Sequence, residues 1–176
     1  MKQATGYSIW LMPEDLLIHE LFSIIVDLSH EFGTCVFKPH VTLLSGIHNE
    51  NDALLKTEKL ASLVKAFYIE LGNTRYSSKY FKKLFININN CEGLCCAREK
   101  AEALFNDVTN YKPHLSLVYG DHSSLVSGEL NKKRMAWSLN RLRNKFQGVT
   151  IPITKLHLYK TTGYVWEWKE IAIFQL

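Results

Sequence analysis

A chain of 176 residues, 47% hydrophobic and 22% charged, is sized for one folded domain or two small lobes. Its formal net charge of +4 suits an anionic ligand without demanding one. The basic residues cluster only at Lys82-Lys83 and Lys132-Lys133-Arg134, so they form no dense stripe of the kind that holds extended nucleic acid. No apolar run nears the ~20 residues that span a bilayer, and Met1 to Met12 lacks a signal-peptide core. A soluble, cytoplasmic protein with no membrane partner is expected.

In chain order, Tyr7 to Met12 reads as a short strand stopped by Pro13. Pro13-Glu14-Asp15 opens a helix whose apolar positions run through Leu17, Leu21, Ile24, Ile25 and Leu28 to a stop at Gly33. The chain then extends through Val36, Phe37 and the run Pro39-His40-Val41-Thr42-Leu43-Leu44. A polar turn at Asn49 to Asp52 follows, with Asp52 as the expected cap of a helix bearing Leu55, Leu60, Leu63 and Val64. Phe67 to Leu71 and Arg75 to Tyr80 read as two strands.

The second half repeats this order. Tyr80 to Ile88 reads as a strand and about Leu94 to Val108 as a helix. Pro113-His114-Leu115-Ser116-Leu117-Val118-Tyr119 is again extended and closes at Gly120. A long polar helix over about Ser124 to Phe146 and two strands, Thr150 to Lys160 and Gly163 to Phe174, complete the chain.

The histidines at 40 and 114 lie 74 residues apart in matching contexts. Lys38-Pro39-His40-Val41-Thr42-Leu43 and Lys112-Pro113-His114-Leu115-Ser116-Leu117 agree at four of six places. With the same elements flanking both, an internal duplication of about 5–79 and 80–174 and an approximate two-fold symmetry are expected. The four cysteines, Cys35, Cys91, Cys95 and Cys96, are too few for a disulfide scaffold and lack zinc-site spacing. Ordinary thiols, no metal and no cofactor are expected.

Side chains alternate along a strand, so His40 and Thr42 face one way while Val41 and Leu43 face the other. His114 and Ser116, backed by Leu115 and Leu117, do the same. If the two strands face one cleft, it holds two imidazoles and two hydroxyls. Histidine is the side chain whose unperturbed pKa lets neutral and protonated forms coexist near neutrality. One ring can then deprotonate an attacking water while the other protonates the departing oxygen of a phosphodiester. Each such group is worth about 100- to 10,000-fold in rate. Thr42 and Ser116 would bind the non-bridging phosphate oxygens, where charge must be accommodated. The other histidines lack such pairing. His19 and His30 lie on the first helix, His48 and His122 in loops after the motifs, and His157 alternates with Leu156 and Leu158 in a late strand. Surface or packing roles are the simpler expectation for them.

On these two motifs the sequence resembles the two-histidine phosphoesterase superfamily. With Tyr7-Ser8-Ile9-Trp10-Leu11-Met12-Pro13 and the extension through Tyr119-Gly120, it resembles the cyclic phosphodiesterase branch in particular. The resemblance implies a bilobal α+β fold, each lobe an antiparallel sheet backed by helices, with the active site in the cleft between lobes. It implies opening of ADP-ribose 1″,2″-cyclic phosphate and of nucleoside 2′,3′-cyclic phosphates, the latter to 2′-phosphates. It carries over His40 and His114 as catalytic, Thr42 and Ser116 as phosphate-binding, and Trp10 and Tyr119 as aromatics against the substrate. Ser116 stands where the superfamily more usually has Thr, and it retains the hydroxyl. Within the same superfamily an enzyme of RNA ends or 2′,5′-linked oligonucleotides would need a longer basic groove. A non-catalytic binder would not need both histidines and both hydroxyls. A monomer acting on a small cyclic-phosphate nucleotide is therefore expected.

Overall fold

The computed structural model describes residues 2–89, 91–106, 112–120 and 129–176. In chain order these form β1 (Tyr7–Leu11), α1 (Asp15–Phe32), β2 (Val41–Ile47), α2 (Glu50–Leu63), β3 (Phe67–Tyr76) and β4 (Leu84–Asn89). There follow α3 (Glu92–Phe105), β5 (His114–Val118), α4 (Glu129–Leu142), β6 (Thr150–Ile153), β7 (Lys155–Lys160) and β8 (Lys169–Gln175). The fold is α+β, as expected. The expected helix end at Val108, the start of the polar helix at Ser124, and His122 lie outside the described residues.

The strands join one antiparallel sheet in the order β6-β3-β4-β5-β2-β1-β7-β8. The two histidine-bearing segments meet at its centre, where Val41 of β2 pairs with Leu115 of β5. On each side of this junction the next strand is the one that precedes the histidine strand by a single helix, β1 beside β2 and β4 beside β5. The two halves share one continuous sheet, and they exchange material. β3, which follows the first histidine strand, pairs with β4 and β6 on the other side.

Thr154 alone separates β6 from β7, although these strands stand first and seventh in the sheet order. Consecutive Cα atoms are only ~3.8 Å apart, so the sheet must curl until these strands meet. Thr150 to Lys160 therefore holds two strands and a corner where the sequence reads one strand.

The strands' apolar faces and the helices form a shared core. Val41, Leu43, Leu115 and Leu117 are buried with Leu21, Ile25 and Leu28 of α1, Leu60 of α2 and Leu94 and Ala97 of α3. α1 packs against β5 and α3 against β2, so each helix crosses over the central junction. Gly33 ends α1 in the left-handed conformation, φ 62°, with its N–H on the Ser29 carbonyl. Among the described residues no helix is long and apolar enough to cross a membrane.

Local readings shift at three places. The cap of α2 is Asn49, whose side chain accepts the Asp52 N–H at 2.9 Å. Asp52 instead pairs with Lys56 one turn on, at 3.0 Å. β3 is one strand across 67–76, bulged between Leu71 and Thr74 opposite β4, because Gly72 can approach where a Cβ would lie 2.7 Å from Asn89 Oδ1. Tyr80–Lys82 is a 3-10 turn rather than the start of a strand, and this turn brings Phe81 to the site.

Candidate active site

His40 immediately precedes β2 and His114 opens β5. Each follows a proline, which fixes an extended entry, and each turns its ring back on the chain in the same way. His40 Nδ1 lies 2.7 Å from the Lys38 carbonyl, and His114 Nδ1 lies 3.0 Å from the Lys112 carbonyl. A carbonyl only accepts, so Nδ1 carries the hydrogen in both rings and Nε2 is the nitrogen left for proton transfer. Two equivalent hydrogen bonds thus set both tautomers and both orientations.

Both rings line one cavity of about 280 Å³, together with Thr42, Ser116, Trp10, Tyr119, Phe81 and Trp168. All six site residues expected from the sequence therefore converge there. Ser116 is buried, and its hydroxyl donates to the Phe81 carbonyl at 2.8 Å. To donate to a phosphate it must turn away from that carbonyl. The Tyr119 hydroxyl stands 3.5 Å from His40 Nε2, at the outer limit of hydrogen bonding.

The aromatic residues hold the histidine as well as lining the space. Trp10 stacks on His40 with ring centroids 3.6 Å apart and 9° between planes, and on Tyr159 at 3.8 Å and 17°. Trp10 is thus sandwiched between the two rings. Lys38 Nζ donates to the Tyr159 hydroxyl at 3.1 Å. Phe37 stacks on Tyr119 at 3.7 Å, and the Phe81 edge meets Tyr119 at 5.3 Å. Phe37, Phe81, Tyr159 and Trp168 belong to neither histidine motif, and the sequence alone does not mark them as site residues. Trp168 offers no local signal, because the curl of the sheet is what carries β8 and its entry back to the cleft.

Burial is the main cause that lowers the His40 pKa to about 4. The Lys38 carbonyl opposes this shift, and a charge on His114 adds to it. That coupling places the rings within electrostatic reach of each other. His114 is also lowered to about 4, first by burial and then by Lys82 and Lys79, against the carbonyls of Lys112 and Phe81. Without an anion in the cleft, both rings are neutral at pH 7.

The remaining described histidines stand elsewhere. His157 pairs with Glu170 at 3.0 Å and is absent from the cavity wall. His48 is exposed beside a separate hollow at the start of α2, and His19 and His30 are exposed on α1. All four cysteines are free thiols.

Known proteins resemble this chain over nearly its whole length. The family described as cyclic phosphodiesterase-like protein matches residues 5–176. A cyclic phosphodiesterase of Arabidopsis thaliana is 24% identical, over 97% of this chain and 94% of its own length. A 2′,3′-cyclic-nucleotide 3′-phosphodiesterase of Phaeosphaeria nodorum is 34% identical, over 76% and 79% respectively. Among solved structures, a Thermus thermophilus protein superposes with a TM-score of 0.65 at 16% identity, covering 97% of both chains. Escherichia coli LigT, solved with phosphate, gives a TM-score of 0.59 at 11% identity over 99% of both chains; at such identities the likeness speaks for the fold alone. Matched over nearly its whole length, the chain belongs to the cyclic phosphodiesterase-like family, within the two-histidine phosphoesterase superfamily.

Proposed function

We propose that this cyclic phosphodiesterase opens nucleoside 2′,3′-cyclic phosphates to 2′-phosphates, and ADP-ribose 1″,2″-cyclic phosphate to a phosphomonoester, without a metal ion. The observation that carries this reading is the matched pair His40 and His114, each anchored through Nδ1 to the carbonyl two residues back and each lining the same cavity. One neutral imidazole takes a proton from water through Nε2 as the water oxygen bonds to phosphorus. The other, protonated, gives its proton to O3′ as the P–O3′ bond breaks, leaving the phosphate on O2′. Protons are thereby conserved across the step and charge never accumulates on the departing oxygen. Thr42 and Ser116 stand beside the rings and supply hydroxyls to the non-bridging oxygens. The relative named as a 3′-phosphodiesterase supports the same bond choice, since breaking the 3′ ester leaves a 2′-phosphate.

A product assay on the four nucleoside 2′,3′-cyclic phosphates, ADP-ribose 1″,2″-cyclic phosphate and a 2′,5′-linked dinucleotide tests this directly. The expected result is 2′-phosphate from the cyclic nucleotides, at rates unchanged by excess EDTA. Formation of 3′-phosphate would overturn the bond assignment. Loss of activity in EDTA, restored by metal, would overturn the two-histidine mechanism.

A further inference from the structure

A second cavity, of about 580 Å³, adjoins the first. Its walls are Lys2, Lys79, Tyr80, Phe81, Lys82, Lys112 and His114, and two of these, Phe81 and His114, also line the histidine cleft. The two spaces are therefore neighbours across one side of His114. Among the described residues the wall has seven members, of which four are lysines and none is acidic. Among the described residues, none of the four lysines has a carboxylate partner within ion-pair distance.

Four ammonium groups gathered without counter-charge among the described residues repel one another. Lys82 shows the consequence: burial first, then Lys79 and Lys112, push its pKa down. Its Nζ also lies over the Phe85 ring, 4.2 Å from the centroid, which holds the ammonium in place rather than free in solvent. An anion in this space would relieve the repulsion. A neutral sugar or base would leave it intact.

A cyclic phosphate centred between His40 and His114 must send the rest of its substrate away from the rings. The side bounded by Phe81 and His114 leads to the lysines. We propose that this lysine-lined cavity binds a second phosphate, covalently part of the same substrate and separate from the cyclic one. This rests on the phosphodiesterase reading and narrows it: the preferred substrates carry a further phosphate, as a 5′-monoester, an internal diester or a pyrophosphate. Burial is the first cause that keeps His114 neutral, and the charges of Lys82 and Lys79 add to it; the same anion, seated beside these lysines, offsets their share. A doubly phosphorylated substrate thus helps to protonate the ring that its opening requires.

The test is calorimetric binding of adenosine 2′-phosphate and adenosine 2′,5′-bisphosphate to the whole chain, wild type and the double variant Lys2→Gln/Lys79→Gln. Wild type should bind the bisphosphate roughly 10- to 100-fold more tightly, the scale of one charge-assisted hydrogen bond. The double variant should close that gap to within about threefold. Equal affinities in wild type, or a gap that survives in the variant, would overturn the proposal. A turnover arm compares adenosine 2′,3′-cyclic phosphate bearing a 5′-hydroxyl, a 5′-phosphate, a 5′-linked nucleotide, or the pyrophosphate of ADP-ribose 1″,2″-cyclic phosphate, and so shows which source of phosphate is preferred. If no substrate is opened but the affinity gap holds, the proposed reaction falls and the second anion site stands. If substrates are opened with no gap, the anion site alone falls.

Discussion

At the residue scale, the pKa values of His40 and His114 are both lowered to about 4, while the proposed reaction needs one of them charged. A ring lowered in this way loses its proton as pH rises through its pKa, so the acid limb of the reaction fails on the alkaline side. In the free enzyme that limb begins low, and kcat/KM, which reports the free enzyme, should fall from about pH 4 upward. A bound phosphate favours the charged ring and raises its pKa, so kcat, which reports the complex, should keep its activity to higher pH. The alkaline midpoint of kcat is expected at least about one unit above that of kcat/KM, and steady-state pH profiles measure both. The midpoints belong to the pair rather than to either ring. Coincident midpoints would mean that the anion does not reprotonate the site.

At the element scale, the two histidine strands were legible because alternation is local: a His-x-Thr or His-x-Ser run with apolar residues between places imidazole and hydroxyl on one face whatever the rest of the chain does. Val41, Leu43, Leu115 and Leu117 are indeed buried on the other. The 3-10 turn at Tyr80–Lys82 and the corner at Thr154 were not legible, because both are set by strands distant in sequence. Phe81 reaches the cleft through that turn, and Trp168 lies just before β8, on the far side of the corner. The β1 entry shows how tightly such packing constrains a single position. Gly6 has φ 79°, and a Cβ there would lie 2.3 Å from the Ile47 carbonyl oxygen at the end of β2. Gly6→Ala is therefore expected to destabilise the fold by about 1–3 kcal/mol or more, combining strain with overpacking. Urea denaturation measures this; an unchanged midpoint would show that β1 can shift without cost.

At the scale of the whole molecule, the curled sheet brings the two matching histidine segments to one cavity. β2 and β5 pair at the centre, and the helices cross over that junction so that either half is stabilised by the other. The outward strand order repeats on both sides, and β3 is lent from one half to the other. Neither histidine has a complete environment within its own half. His40 is stacked by Trp10 from β1 but faced by Tyr119 from beyond β5, while His114 lies beside Phe81 and the lysines of the second cavity.

Kinetics of His40→Ala, His114→Ala and the double variant on adenosine 2′,3′-cyclic phosphate, with near-UV circular dichroism to verify the fold, address this shared site most directly. Groups that act as a unit are not additive, so each single variant should lose at least about 100-fold in kcat/KM and the double variant little more. Either single variant keeping activity within about tenfold of wild type, with its fold intact, would contradict a reaction carried by both rings.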